Sequence, residues 1–92
     1  MLKYVIERTM PGAGQLSTAQ LAAASAVSNS ALASLSPRVL WQQSYVTDDK
    51  VFCVYMATDP DAIREHASLA GLPVDSIHRV ATVIDPVTAN AA

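Results

Sequence analysis

The spacing of apolar positions switches along the chain between a two-residue repeat and a helical one. Leu2 to Thr9 is a β-branched and aromatic run, closed by Met10-Pro11-Gly12-Ala13-Gly14, which predicts a strand followed by a loop. Ser17-Thr18-Ala19-Gln20 matches a capping box, with Leu16 and Leu21 placed as its hydrophobic staple. From there Leu21, Ala24, Ser28, Leu32 and Leu35 follow helical spacing until Ser36-Pro37, since the residue before proline is pushed out of the α region. This helix is rich in alanine and thin on its apolar side, so it is expected to lie close against a sheet.

Val39 to Val46 and Val51 to Ala57 are two further strand-like runs, joined through Thr47-Asp48-Asp49-Lys50 as a hairpin. Asp59 and Pro60 open a second helix as N-cap and first helical residue. Ile63, Ala67 and Ala70 give that helix its stripe, and Gly71 with Pro73 ends it. A last strand is expected from about Ile77 to Ile84, before Asp85-Pro86. The order strand, helix, strand, strand, helix, strand predicts an α+β fold, the ferredoxin-like split βαβ arrangement with both helices on one face of an antiparallel sheet. Residues 1–86 form one domain in this reading, and 87–92 a loose tail.

The other sheet face then needs a cover. In the third strand Phe52, Val54 and Met56 alternate with Val51, Cys53 and Tyr55, so neither side is polar. In the second, Leu40, Gln42, Ser44 and Val46 alternate with Trp41, Gln43 and Tyr45. Composition sharpens the point: 51% of the 92 residues are hydrophobic and only 15% charged, which leaves little charge to coat a monomer. Two subunits are expected to stack their open faces as a homodimer of the dimeric α+β barrel type.

Charge narrows the functional classes. The formal net charge is −2 and the six basic residues are scattered, which argues against nucleic acid as a partner. No run is apolar enough to span a membrane, and MLKYVIER does not read as a signal peptide. A single cysteine cannot form an internal disulfide, so the expected home is the cytoplasm.

Few side chains could carry chemistry, and no zinc-ligand, P-loop, dinucleotide or nucleophile-elbow motif organises them. His66 lies beside the apolar stripe of the second helix; imidazole ligates transition metals and can act as a base near neutral pH. Glu65, its neighbour, points elsewhere on a helix, so a metal at His66 needs ligands from other segments. His78 sits near the start of the last strand, Asp48 and Asp49 hold the hairpin turn, and Cys53 reads as a small core hydrophobe. Tyr45 and Tyr55 are expected on the open face together with Trp41, Gln43 and Glu7, where they would give a dimer interior polar tips on an apolar lining.

The segments KYVIER, MPGAG followed by LS, SYVTDDK, CVY, IREHA with GLP, and IDPVTA resemble, in order and spacing from about Lys3 to Ala89, the small bacterial domain-of-unknown-function 4242 family, a group that includes nickel-binding proteins. The resemblance implies a ferredoxin-like subunit, a homodimer and, in some members, Ni²⁺ at or near the dimer surface. The leading expectation is therefore a non-enzymatic homodimeric protein that binds nickel for storage, sensing or tolerance. His66, His78, Asp48, Asp49 and Glu65 are its candidate ligands. The alternative is a cofactor-free isomerase, cyclase or monooxygenase with its pocket over the open sheet face. There His66 or Glu7 would be the base, and Tyr45 or Tyr55 would orient an oxyanion.

Overall fold

The computed structural model of the protein describes residues 1–91. Strands β1 (Leu2–Thr9), β2 (Val39–Val46), β3 (Lys50–Ala57) and β4 (Ser76–Arg79) form one sheet in the order β2-β3-β1-β4. Every neighbouring pair is antiparallel. Helix α1 (Thr18–Leu35) connects β1 to β2, and α2 (Pro60–Ala70) connects β3 to β4. The architecture is α+β and compatible with the ferredoxin-like split βαβ arrangement.

Local signals set the helix ends. Ser17 Oγ accepts the Gln20 N–H at 3.1 Å, and Gln20 Oε1 accepts the Ser17 N–H at 2.9 Å, which completes the capping box of α1. Asp59 Oδ1 accepts the Ala62 N–H at the start of α2. Gly71 ends that helix in the left-handed region at φ 69°, where glycine carries no steric penalty.

The core lies between the sheet and the helices. Tyr4 and Ile6 of β1 with Cys53, Tyr55 and Ala57 of β3 meet Leu35 of α1 and Ala62 and Ile63 of α2. The opposite parity, Val5 and Glu7 with Phe52, Val54 and Met56, is only half-buried because no helix covers it.

Three expectations change. The hairpin register carries a bulge between Trp41 and Gln43, so Trp41 pairs with Tyr55 while Gln43 pairs with Val54. The extra residue reverses the parity of β2 beyond it. Trp41 and Tyr55 therefore face the helices, and only Gln43, Tyr45 and Glu7 remain on the open face. Secondly, β4 ends at Arg79 rather than Ile84. Arg79 already pairs with Tyr4, and β1 begins at Leu2, so a longer strand would run out of partner. The Val80 N–H still donates to the Lys3 carbonyl, residues 81–85 beyond it are exposed, and Asp85 caps a 3₁₀ turn at Pro86–Asn90; the last residue of the expected tail, Ala92, lies outside the described residues.

Thirdly, α1 does not lie flat on the sheet. Only Ser28, Ala31 and Leu35 are buried along its length, all in the second half. The alanines and serines of the first half are too short to bridge to the strands. That stand-off creates the cavity described below.

The loop after β1 docks on the hairpin turn. The Met10 and Gly14 N–H groups donate to the Asp49 and Asp48 carbonyls at 2.8 and 3.0 Å, and Gly12 N–H donates to the Asp49 carboxylate at 3.0 Å. A Cβ on Gly14 would sit 2.9 Å from the Asp48 Cα. Gly14→Ala is therefore expected to cost about 1–3 kcal/mol by overpacking against backbone. A urea titration reads this, and an unchanged midpoint would show the loop yielding freely.

Candidate functional site

Alternation along β1 carries Tyr4, Ile6 and Arg8 to the same side of the sheet, so the chain buries a guanidinium where it otherwise buries apolar groups. Arg8 is 1% exposed. Its Nη1 donates to the Pro73 carbonyl at 2.6 Å, its Nη2 to the Tyr55 hydroxyl at 3.2 Å, and its Nε to Cys53 Sγ at 3.4 Å. Among the described residues no carboxylate pairs with it. Burial alone would depress its pKa, but the contacts with Cys53 and Tyr55 outweigh that and leave it raised. Arg8 stays charged.

Tyr55 feels the same environment from the other side. Burial and the nearby Cys53 push its phenol up to about 12, against the pull of Arg8. Its ring lies 5.4 Å from that of His66, tilted by 60°. His66, on the inner face of α2, is fully buried. Its Nε2 is 3.1 Å from Ser28 Oγ on α1, and its Nδ1 has no hydrogen-bond partner. Burial holds its pKa below the usual imidazole value; the bond to Ser28 opposes this, and the positive charge of Arg8 adds to it. The His66–Ser28 bond ties the two helices together with a neutral ring.

Beside this cluster, a partly open cavity of about 110 Å³ lies between the first half of α1 and the edge formed by β2 and β3. Arg8, Cys53 and Tyr55 stand at its floor, Trp41, Val46 and Val51 along the sheet, and Leu21, Ala24 and Ser25 on the helix. The lining is mainly apolar, with Arg8, Tyr55, Ser25, Ser28 and Ser44 as its polar residues. The Trp41 indole donates to Ser44 Oγ at 2.9 Å, which holds its ring in place.

The sequence candidates are spread across the molecule. His66 is sealed between the helices, and Glu65 beside it points outward to Arg38 at 3.0 Å. Asp48 and Asp49 hold the loop contact at the end of the hairpin. His78 is exposed on the open face, where its Nε2 meets Ser76 Oγ at 3.0 Å. Glu7 shares that face, pairs in register with Ser76, and lies 3.3 Å from Lys50 Nζ. Among the described residues no three His, Cys, Asp or Glu side chains converge on a metal-sized space. The sheet also divides the catalytic candidates, with His66 and Tyr55 on its helix side and Glu7 and Tyr45 on the other. The cavity is on the helix side, not over the open face.

Sequence reasoning passed over Arg8 and Ser28 as site residues. The signal for Arg8 was present: it shares the parity of Tyr4 and Ile6, and an inward arginine on a buried strand face is rare.

The fold and site thus define a small α+β protein with a buried guanidinium at a cavity and one histidine on an uncovered sheet. The chain belongs to the family described as "Nickel responsive protein SCO4226-like", whose model matches residues 4–80. The number 4242 stays a resemblance. Among solved structures the chain is similar to SCO4226 of Streptomyces coelicolor A3(2), with a TM-score of 0.75 at 18% identity over 89% of this chain and 99% of that one. No curated protein matches the chain. No helix among the described residues is long and apolar enough to cross a membrane.

Proposed function

We propose that the protein is a non-enzymatic nickel-binding protein of the cytoplasm, acting in storage, sensing or tolerance, whose metal site is completed between two copies of the chain. Membership of a nickel-responsive family is the observation that carries this reading. A single chain does not gather three ligands among its described residues, so a second copy or solvent must supply the rest. His66 offers no accessible nitrogen. His78 does, and Glu7 lies diagonally from it on the neighbouring strand of the same face, an imidazole and carboxylate set suited to Ni²⁺.

The homodimer places that face at an interface. Val5, Phe52, Val54 and Met56 lie on it half-buried, with Leu40 and Tyr45 exposed beside them. Val83, Ile84 and Val87 extend beyond β4 at 68–75% exposure, a second apolar surface that a partner would cover.

Calorimetry with Ni²⁺ is expected to give binding tighter than ~1 mM for the wild type, and no resolved binding for His78→Ala. Val54→Asp is expected to yield a monomer by analytical ultracentrifugation and to lose nickel binding with it. An isotherm unchanged in His78→Ala would remove the site, and a monomeric wild type at micromolar concentration would remove the shared one.

A further inference from the structure

The cavity under α1 is independent of the open face, and nickel gives it no role. Its floor holds a cation buried without a counter-ion. An unpaired guanidinium in an apolar interior costs several kcal/mol by order of magnitude, and it is retained where something offsets that cost. The acceptors that Arg8 has are a carbonyl, a phenol and a sulfur, which occupy three of the five N–H groups of a guanidinium. Two N–H groups remain without a partner, on a residue that lines the cavity. A carboxylate is the anion whose two oxygens match that planar fork.

The rest of the lining excludes a strongly hydrated anion. Beyond the floor the polar residues of the lining are Ser25, Ser28 and Ser44, and of these Ser28 is hydrogen-bonded to His66 and Ser44 to Trp41, so an inorganic phosphate would lose most of its hydration with little replacement. The volume of about 110 Å³ is somewhat below the roughly 150 Å³ of an engineered apolar cavity that takes benzene, and the open side gives a ligand's far end room. Ala24 and Ser25 keep that space free; longer side chains there would fill it.

We infer that this cavity binds a small monocarboxylic acid with an apolar body, its carboxylate on Arg8 and its hydrocarbon against Trp41 and the first half of α1. Ligand entry brings α1 and the sheet together through the ligand, which supplies the packing that the short side chains of the helix do not.

Trp41 is the chain's one tryptophan and lines the cavity, so its emission reports occupancy. Titration with benzoate or butyrate is expected to shift that emission saturably, while benzamide, neutral and of nearly the same shape, binds at least about tenfold more weakly. Arg8→Met, checked for folding by circular dichroism, is expected to lose the benzoate preference. Ala24→Leu retains Arg8 and fills the space from an exposed helical position; it is expected to fold normally and to weaken benzoate at least about tenfold. The proposal is overturned if neither acid gives a saturable change up to ~10 mM, if sodium chloride at equal ionic strength reproduces the change, if benzamide matches benzoate, or if Ala24→Leu binds as the wild type does. Because Ala24→Leu and benzamide leave the buried cluster intact, a misfolded Arg8→Met does not protect the idea.

Discussion

Truncation of Arg8 to alanine is expected to lower the unfolding free energy by about 2–4 kcal/mol, through a void in the core and the loss of its donors to two oxygen acceptors and one sulfur. The side chain is fully enclosed between β1, β3 and the segment after α2, so its methylenes pack as core. Its loss leaves the buried Tyr55 hydroxyl and the part-buried Pro73 carbonyl without their donor. Removal of an unpaired buried charge works the other way, which keeps the expected loss below that of breaking a buried ion pair. Arg8→Met separates the contributions. It keeps most of the volume and discards the charge, so it should recover more than half of the alanine loss. Urea unfolding of the three proteins measures this, and an Arg8→Ala variant within ~0.5 kcal/mol of wild type would show the guanidinium contributing nothing to the fold.

The second large effect is on pH. His66 is buried in neutral form and its pKa is lowered, whereas in the unfolded chain it titrates near ~6.5. Below that value the unfolded state takes up a proton that the folded state refuses. The stabilisation is thus fully present above the unfolded pKa and is lost as pH falls toward the folded one. Stability should fall as pH drops below ~6.5, with a slope from this one group bounded by ~1.4 kcal/mol per unit. His66→Leu should flatten that stretch of the profile, because Ser28 can return its hydroxyl to its own helix backbone. A His66→Leu profile parallel to wild type would assign the pH dependence to other groups.

These effects arise in the region that was hardest to read from the chain. Helix ends were plain, because Ser17 with Gln20, Asp59 with Pro60, and Gly71 act on backbone within one turn. Strand positions were plain for β1 to β3, where apolar runs are bounded by turn residues. Which way the hairpin side chains point was not, because one bulged residue reverses the parity of β2, and no local composition marks the bulge between Trp41 and Gln43. That reversal moved Trp41 away from the open face and into the wall of the cavity. The extent of β4 depended on a non-local fact, the length of β1 left to pair with.

Likewise the candidate ligands looked alike on the chain, and only packing separated them. His66 was recognised as lying beside the apolar stripe, but its full burial follows from the approach of α1 at Ser28, far away in sequence. His78 reached the open face by its register with Val5.

What the sequence determined by itself was therefore the main helices and strands, their order and the ends of the helices, since these depend on interactions within a few residues. Tertiary structure decided the register of the hairpin, the gap left by α1 and the enclosure of Arg8 without a carboxylate. Those are properties of surfaces that meet only when distant segments close on one another, and their energies come from contacts that the linear order does not contain.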